Sequence, residues 1–135
     1  MRVLLDTNII LDITLKRKPF VESSTSLLQA LQEKNDEIFL SATTITDLYY
    51  ILRKGKGKEI ALSLIKNLLE FVEIASVDKN AILQALESDI TDFEDAVQEN
   101  SAKNENITVI ITRNERDFKN SELEIYTPES YLEKP

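Results

Sequence analysis

Twenty-four Asp and Glu side chains, with not one His or Cys, set the terms for any chemistry in this 135-residue chain. Zinc sites of Cys and His, thiol nucleophiles, haem ligation through His and triads with an imidazole base are all excluded. What remains is oxygen chemistry. Carboxylates, hydroxyls and amides suit hard cations such as magnesium or manganese, so an active site is to be sought where acids cluster.

Four places qualify. Asp6 ends the apolar run Val3, Leu4 and Leu5, and Thr7 and Asn8 follow before Ile9, Ile10 and Leu11. That order reads as a buried strand, a polar turn and an apolar helix that Asn8 is suited to cap. In open α/β sheets ligands bind just beyond the carboxyl ends of strands, which is where Asp6 falls. Asp47 lies on a mid-chain helix. Asp92, Asp95 and Glu99 fall on one stripe of a later helix, at about 100° per residue. Asp117 follows the polar turn Thr112, Arg113 and Asn114, which itself follows a core strand. Each has a plainer explanation: Asp6 as a helix cap, Asp47 and Asp117 as surface acids, the stripe as a solvated face.

The elements that must position these acids alternate. A strand over Val3–Leu5 leads to a short helix ending near Leu15, and Pro19 opens a second helix whose apolar positions run to Leu31. Ile38–Leu40 is a strand, and Ser41–Thr44 is a hydroxyl-rich entry to the helix carrying Asp47. Gly55 and Gly57 mark a break. A periodic helix with Ile60, Ala61, Leu64, Ile65, Leu68 and Leu69 on its face follows, then a strand or extended segment from Phe71 to Val77. Asp78 caps one helix and Asp92 the next, which runs to about Lys103. Thr108–Ile111 is a β-branched core strand; a short helical turn through Asp117, a strand over Glu124–Tyr126 and a brief helix from Pro128 complete the chain. Strands separated by helices give an α/β fold with a mostly parallel sheet and helices on both faces. The length fits a single domain over 1–135.

The net charge of −8 argues against a protein that coats itself in nucleic acid. Its distribution is uneven: residues 1–58 carry nine Lys and Arg against seven acids, and residues 59–135 carry seven against seventeen. Lys16, Arg17 and Lys18 form one basic knot; Arg53, Lys54, Lys56 and Lys58 form another. Solvated helix ends would explain both. Asp6 and Asp12 interrupt the N-terminal apolar stretch, so no secretory signal is expected, no run is long enough for a membrane span, and a cytoplasmic protein is anticipated.

In order and placement the blocks LLDTNIILD, SATTITDLYYILRK, DFEDAVQ and VIITRNERDF resemble the PIN domain family, and in particular its VapC-like ribonuclease toxins. The resemblance spans nearly the whole chain. It implies a three-layer α/β/α sandwich in which Asp6, Asp47, Asp95 and Asp117 gather at one end of the sheet. Asp6, Asp95 and Asp117 would coordinate magnesium or manganese, with Asp92 and Asn114 close by. Asp47 would be a ligand or orient water, and Thr7, Asn8 and Thr112 would be polar lining. It further implies RNA as substrate, with phosphate contacts from Arg53, Lys54, the other residues of the knots, Arg113 and Arg116. A neutralising antitoxin partner and a homodimer also follow from it. Two departures stand out: Asp47 where many members place Glu, and Asn106 and Ile107 where an acid commonly precedes the fourth strand. They leave the first metal site intact and weaken a second. The alternatives are a haloacid dehalogenase-type phosphatase with Asp6 as nucleophile, though Asn8 stands where its second Asp belongs, and a catalytically degenerate PIN fold that only binds protein.

Overall fold

The computed structural model describes residues 1–134. Among them lie five strands: β1 (Arg2–Leu5), β2 (Glu37–Ser41), β3 (Glu73–Ala75), β4 (Val109–Ile111) and β5 (Glu124–Tyr126). Seven α-helices connect or follow them: α1 (Thr7–Thr14), α2 (Phe20–Glu33), α3 (Ala42–Lys56), α4 (Lys58–Leu68), α5 (Lys79–Leu86), α6 (Phe93–Asn104) and α7 (Pro128–Leu132). A single 3-10 turn spans Glu115–Phe118. The sheet is parallel throughout, in the order β3-β2-β1-β4-β5. The expected three-layer α/β/α architecture is present, and the sheet is wholly rather than mostly parallel.

The period of two along each strand divides the core between the layers. Val3 and Leu5, Ile38 and Leu40, and Val109 and Ile111 face one side, where they pack with Leu27, Leu31, Leu48, Leu52, Ala61 and Tyr131 from α2, α3, α4 and α7. Leu4, Phe39 and Ile110 face the other, against Ala85, Ala96, Val97 and Ala102 from α5 and α6. Fully buried Leu and Ile side chains each contribute about 1.5–3 kcal/mol, so Leu4, Leu5, Leu40 and Ile110, all at 0% exposure, anchor the site from below.

This strand order places a switch point beside β1. The chain moves from β1 outward through β2 and β3, then crosses back to lay β4 on the other side of β1. Loops leaving the carboxyl ends of β1 and β4 therefore part in opposite directions and leave a crevice between them.

Local differences from the sequence reading have simple causes. The break between α3 and α4 falls at Gly57 alone, whose φ of +89° an L side chain rarely adopts; Gly55 remains within α3. The strand expected from Phe71 begins only at Glu73, because the Phe71 and Val72 N–H groups still bond back to Leu68 as α4 unwinds. On α4, Ala61 and Leu68 are buried, but Ile60 and the C-cap residue Leu69 stand 52% and 45% exposed, so only part of the expected apolar face meets this chain's core.

Candidate active site

Asp6 follows β1 directly, and its N–H bonds the Ile111 carbonyl at 3.0 Å, extending the β1–β4 ladder by one step. It occupies the position preceding α1, which starts at Thr7 and not beyond Asn8 as expected. The carboxylate makes no cap bond to the helix. It is turned across the crevice and only 6% exposed; Oδ2 accepts from the Thr112 hydroxyl at 2.7 Å and Oδ1 from Gln98 Nε2 at 3.2 Å. Thr7 and Thr44 share a hydroxyl hydrogen bond of 2.9 Å that ties the start of α1 to α3.

α6 brings the second group. Asp92 caps it, Oδ1 accepting from the Asp95 N–H at 3.0 Å. Asp95 then faces the crevice, with its Oδ1 3.5 Å from Gln98 Nε2. Its carboxyl is pushed up to about 7, first by burial and then by the charges of Asp6, Asp92 and Asp117, while Gln98 pulls the other way. The expected stripe is broken at Glu99. That side chain is buried and turned away from the cleft, where it accepts from the Ser121 hydroxyl and from the Glu122 N–H at 2.8 Å. Gln98 takes its place at the site.

From α3, Asp47 meets Glu94 across the mouth of the cleft. A hydrogen bond shared with Asp47, then burial and the charges of Asp47, Asp92 and Asp95, push the Glu94 carboxyl up to about 7. Asn114 and Asp117 close the site from beyond β4. The Asn114 N–H donates to Thr112 Oγ1 at 3.1 Å, and the Asp117 N–H to the Asn114 carbonyl at 3.0 Å. The result is an open cleft of about 410 Å³ on which Asp6, Asp47, Asp92, Glu94, Asp95 and Asp117 all border, with Thr7, Asn8, Gln98 and Asn114 as polar lining. Thr112 lies beneath it, fully buried.

The cations are placed differently. Arg113 leaves the cleft and forks onto Asp12. Arg53 and Lys54 are exposed in the last turn of α3, and neither borders the cleft. Arg116 and Lys119 border a neighbouring cleft of about 670 Å³, which shares Asp92 and Asp117 with the first. Sequence reasoning missed Glu94, Gln98 and Asp12. An amide three residues after Asp95 marked Gln98, and an acid inside the apolar helix IILDI demanded a buried cation.

Whether these groups suit a divalent cation can be tested on their chemistry. All donors are oxygens, the set that hard cations take. The mutual repulsion that lifts Asp95 is a penalty a cation would relieve, and Gln98 Oε1 is a buried acceptor with no partner among the described residues. Among the described residues no three acids already stand at ligand spacing. Asp6 is held by Thr112 and Gln98, and Asp92 by its own helix. The residues fit, provided that the ion draws them inward.

An acid-lined cleft at the switch point of a 3-2-1-4-5 parallel sheet defines a class: α/β proteins whose chemistry is built on carboxylates gathered from separate loops and helices. The profile described as PIN domain matches residues 2–116. The chain belongs to the PIN domain family. It is 30% identical to Ribonuclease VapC1 of Aquifex aeolicus (strain VF5) over 138 residues, covering 98% of this chain and 94% of that protein. Its fold is similar to that of VapBC2 from Rickettsia felis bound to a DNA fragment from their promoter, with a TM-score of 0.76, 24% identity and coverage of 94% and 98% of the two chains. It is also similar to Mycobacterium tuberculosis VapC20, a sarcin-ricin loop cleaving toxin, at a TM-score of 0.65 and 16% identity over 80% of this chain and 86% of that one.

Proposed function

We propose that this chain is a magnesium- or manganese-dependent endoribonuclease and the toxin of a toxin–antitoxin pair, working in the cytoplasm as one domain over residues 1–135. The observation that carries the proposal is the meeting of acids from four separate elements, Asp6, Asp47, Asp95 and Asp117, on one cleft. The 30% identity to a ribonuclease over nearly the full length supports the substrate class. The relatives of this fold solved as VapBC assemblies support a cognate antitoxin. Ile60 on α4 and Leu69 at its C-cap, both exposed, support a homodimer.

Asp6, Asp95 and Asp117 would hold the cation, with Asp92 beside them. When bound, it would supply Lewis acidity toward the phosphoryl group and an acidified water. The chain's own residues do the rest. Thr112 and Gln98 fix the orientation of Asp6 from two sides. Glu94 stands at the mouth of the cleft, and its carboxyl, raised to about 7, can take up and return a proton at working pH. Asn8 and Asn114 offer amides to phosphate or ribose oxygens. Arg53 and Lys54 on one side, and Arg116 and Lys119 on the other, attract the flanking phosphates toward a cleft that alone repels them. The test is cleavage of a mixed RNA pool with EDTA, magnesium or manganese. Metal-dependent cleavage lost in Asp95→Asn supports the reading; no cleavage with any ion, from protein that is folded and metal-bound, refutes it.

A further inference from the structure

Arg113 sits in the loop that leaves β4 for the cleft, yet its guanidinium points elsewhere. Nε and Nη2 donate to Oδ2 and Oδ1 of Asp12 at 3.0 and 3.3 Å, and Cζ lies 4.1 Å from the centroid of the Phe20 ring. Asp12 is completely buried, and Arg17 Nη1 stands 3.7 Å from the same carboxylate. The small cavity of about 70 Å³ beside the pair is walled by Phe20, Ser23, Ser24, Pro128 and Glu129, and none of the cleft's acids borders it.

We propose that the Asp12–Arg113 fork is a positioning device for Asp6 and Asp117, an inference that rests on the metal-dependent reading above. Two consecutive residues clamp two points of one helix segment: Thr112 bonds Asp6 just before α1, and Arg113 bonds Asp12 within it. Thr112 Oγ1 also receives the Asn114 N–H, and the Asn114 carbonyl receives that of Asp117. Movement of the Arg113 backbone is therefore passed to both Asp6 and Asp117. A planar fork making two parallel bonds fixes orientation as well as distance, which a lysine ammonium cannot do. Arg113 thus acts through its neighbours and does not contact phosphate.

Three measurements on two variants test this. Arg113→Lys keeps the charge and loses the fork; Asp12→Leu with Arg113→Met removes both buried charges together, which avoids leaving one unpaired. Calorimetric titration with manganese, without RNA, should show affinity reduced by about 10–100-fold in both, the range found when the partners of ligand side chains are removed. In EDTA, amide exchange at Asn114 and Asp117 should quicken about tenfold while that of β1 is unchanged. The salt dependence of binding to a single-stranded RNA oligomer should be unaltered. A salt slope smaller by about 0.7 in the double variant, with manganese affinity retained, makes Arg113 a phosphate contact and overturns the proposal. Unaltered manganese affinity and unaltered exchange also overturn it, leaving only a core ion pair. A parent that takes up no manganese refutes the metal reading instead, and the exchange measurement still decides the clamp.

Discussion

Asp95→Asn replaces a carboxylate by an amide of the same shape at the centre of the cleft, and its effect on stability should change sign with metal. In the metal-free protein the Asp95 carboxyl sits at about 7, against about 3.9 in an unfolded chain. Between those values the unfolded state has lost its proton and the folded state has not. Stability is therefore lost progressively as pH rises from about 4 through 7. Because Asp95 is half-exposed, the full linkage is discounted for solvent screening to on the order of 1–2 kcal/mol, or about 4–7 °C in Tm for a chain of this size. In EDTA the variant should come closest to the parent near pH 4 and melt above it at pH 8. Glu94 titrates in both proteins, and because the Asp95 charge is the last of the causes that raise it, removing that charge eases Glu94 as well and adds to the variant's advantage at pH 8. With manganese at a hundred times its dissociation constant the order should reverse. The parent gains about 2.7 kcal/mol, roughly 9 °C, and the variant loses most of that gain. Thermal melts at both pH values, with EDTA and with manganese, are sufficient. Parallel pH profiles in EDTA, or equal manganese shifts, would show that Asp95 is an ordinary solvated acid.

Thr112→Val removes both the hydroxyl that donates to Asp6 and the acceptor of the Asn114 N–H; denaturant melts should show a loss of about 1–3 kcal/mol, and calorimetry a further loss of manganese affinity. Replacing Arg53 and Lys54 together by Ala should reduce the salt slope of RNA binding by about 1.4 if both meet phosphates of a single strand, with an unchanged Tm; an unchanged slope assigns both to bulk solvent. Ile60→Glu with Leu69→Glu should convert a dimer to a monomer in light scattering over a dilution series, and a parent that is monomeric at high micromolar concentration ends the dimer proposal.

The fold was legible because its strands are short apolar runs that stop at polar turns, and several helix starts carry their own capping chemistry, though the cap expected from Asn8 does not form. Asp78 and Asp92 make the cap bonds expected of them, and Ser41, from the hydroxyl-rich entry, caps α3. The acids of the cleft were legible as positions, since each follows a core strand or lies on a helix entering the same end of the sheet. Their partners were not. A helix stripe cannot tell Gln98 from Glu99, because both neighbour Asp95 at helical spacing; only the packing of α6 against the sheet sends one into the cleft and the other toward Ser121. Arg113 shows the same limit. Its place beside Thr112 and Asn114 suggested phosphate, but Asp12, six residues beyond Asp6 and wholly buried, requires a cation more strongly than solvent does.

That reassignment sharpens the electrostatic problem facing a polyanion. Arg113 and Arg17 are committed to Asp12. Arg53, Lys54 and Lys56 already have a structural reason to stand in the last turn of α3, where cations offset the negative end of the helix dipole. Against these few, six acids border the cleft. None of the cations borders the cleft itself, so a phosphate within it meets the acids directly. Neutralisation must come from inside it. Under the proposed function the cation and the RNA therefore favour one another's binding, and by reciprocity each raises the other's affinity by the same factor. The clamp on Asp6 and Asp117 then bears on substrate as well as metal: if it lets those carboxylates drift, the same fork that never touches RNA weakens RNA binding in manganese while leaving it unchanged in EDTA.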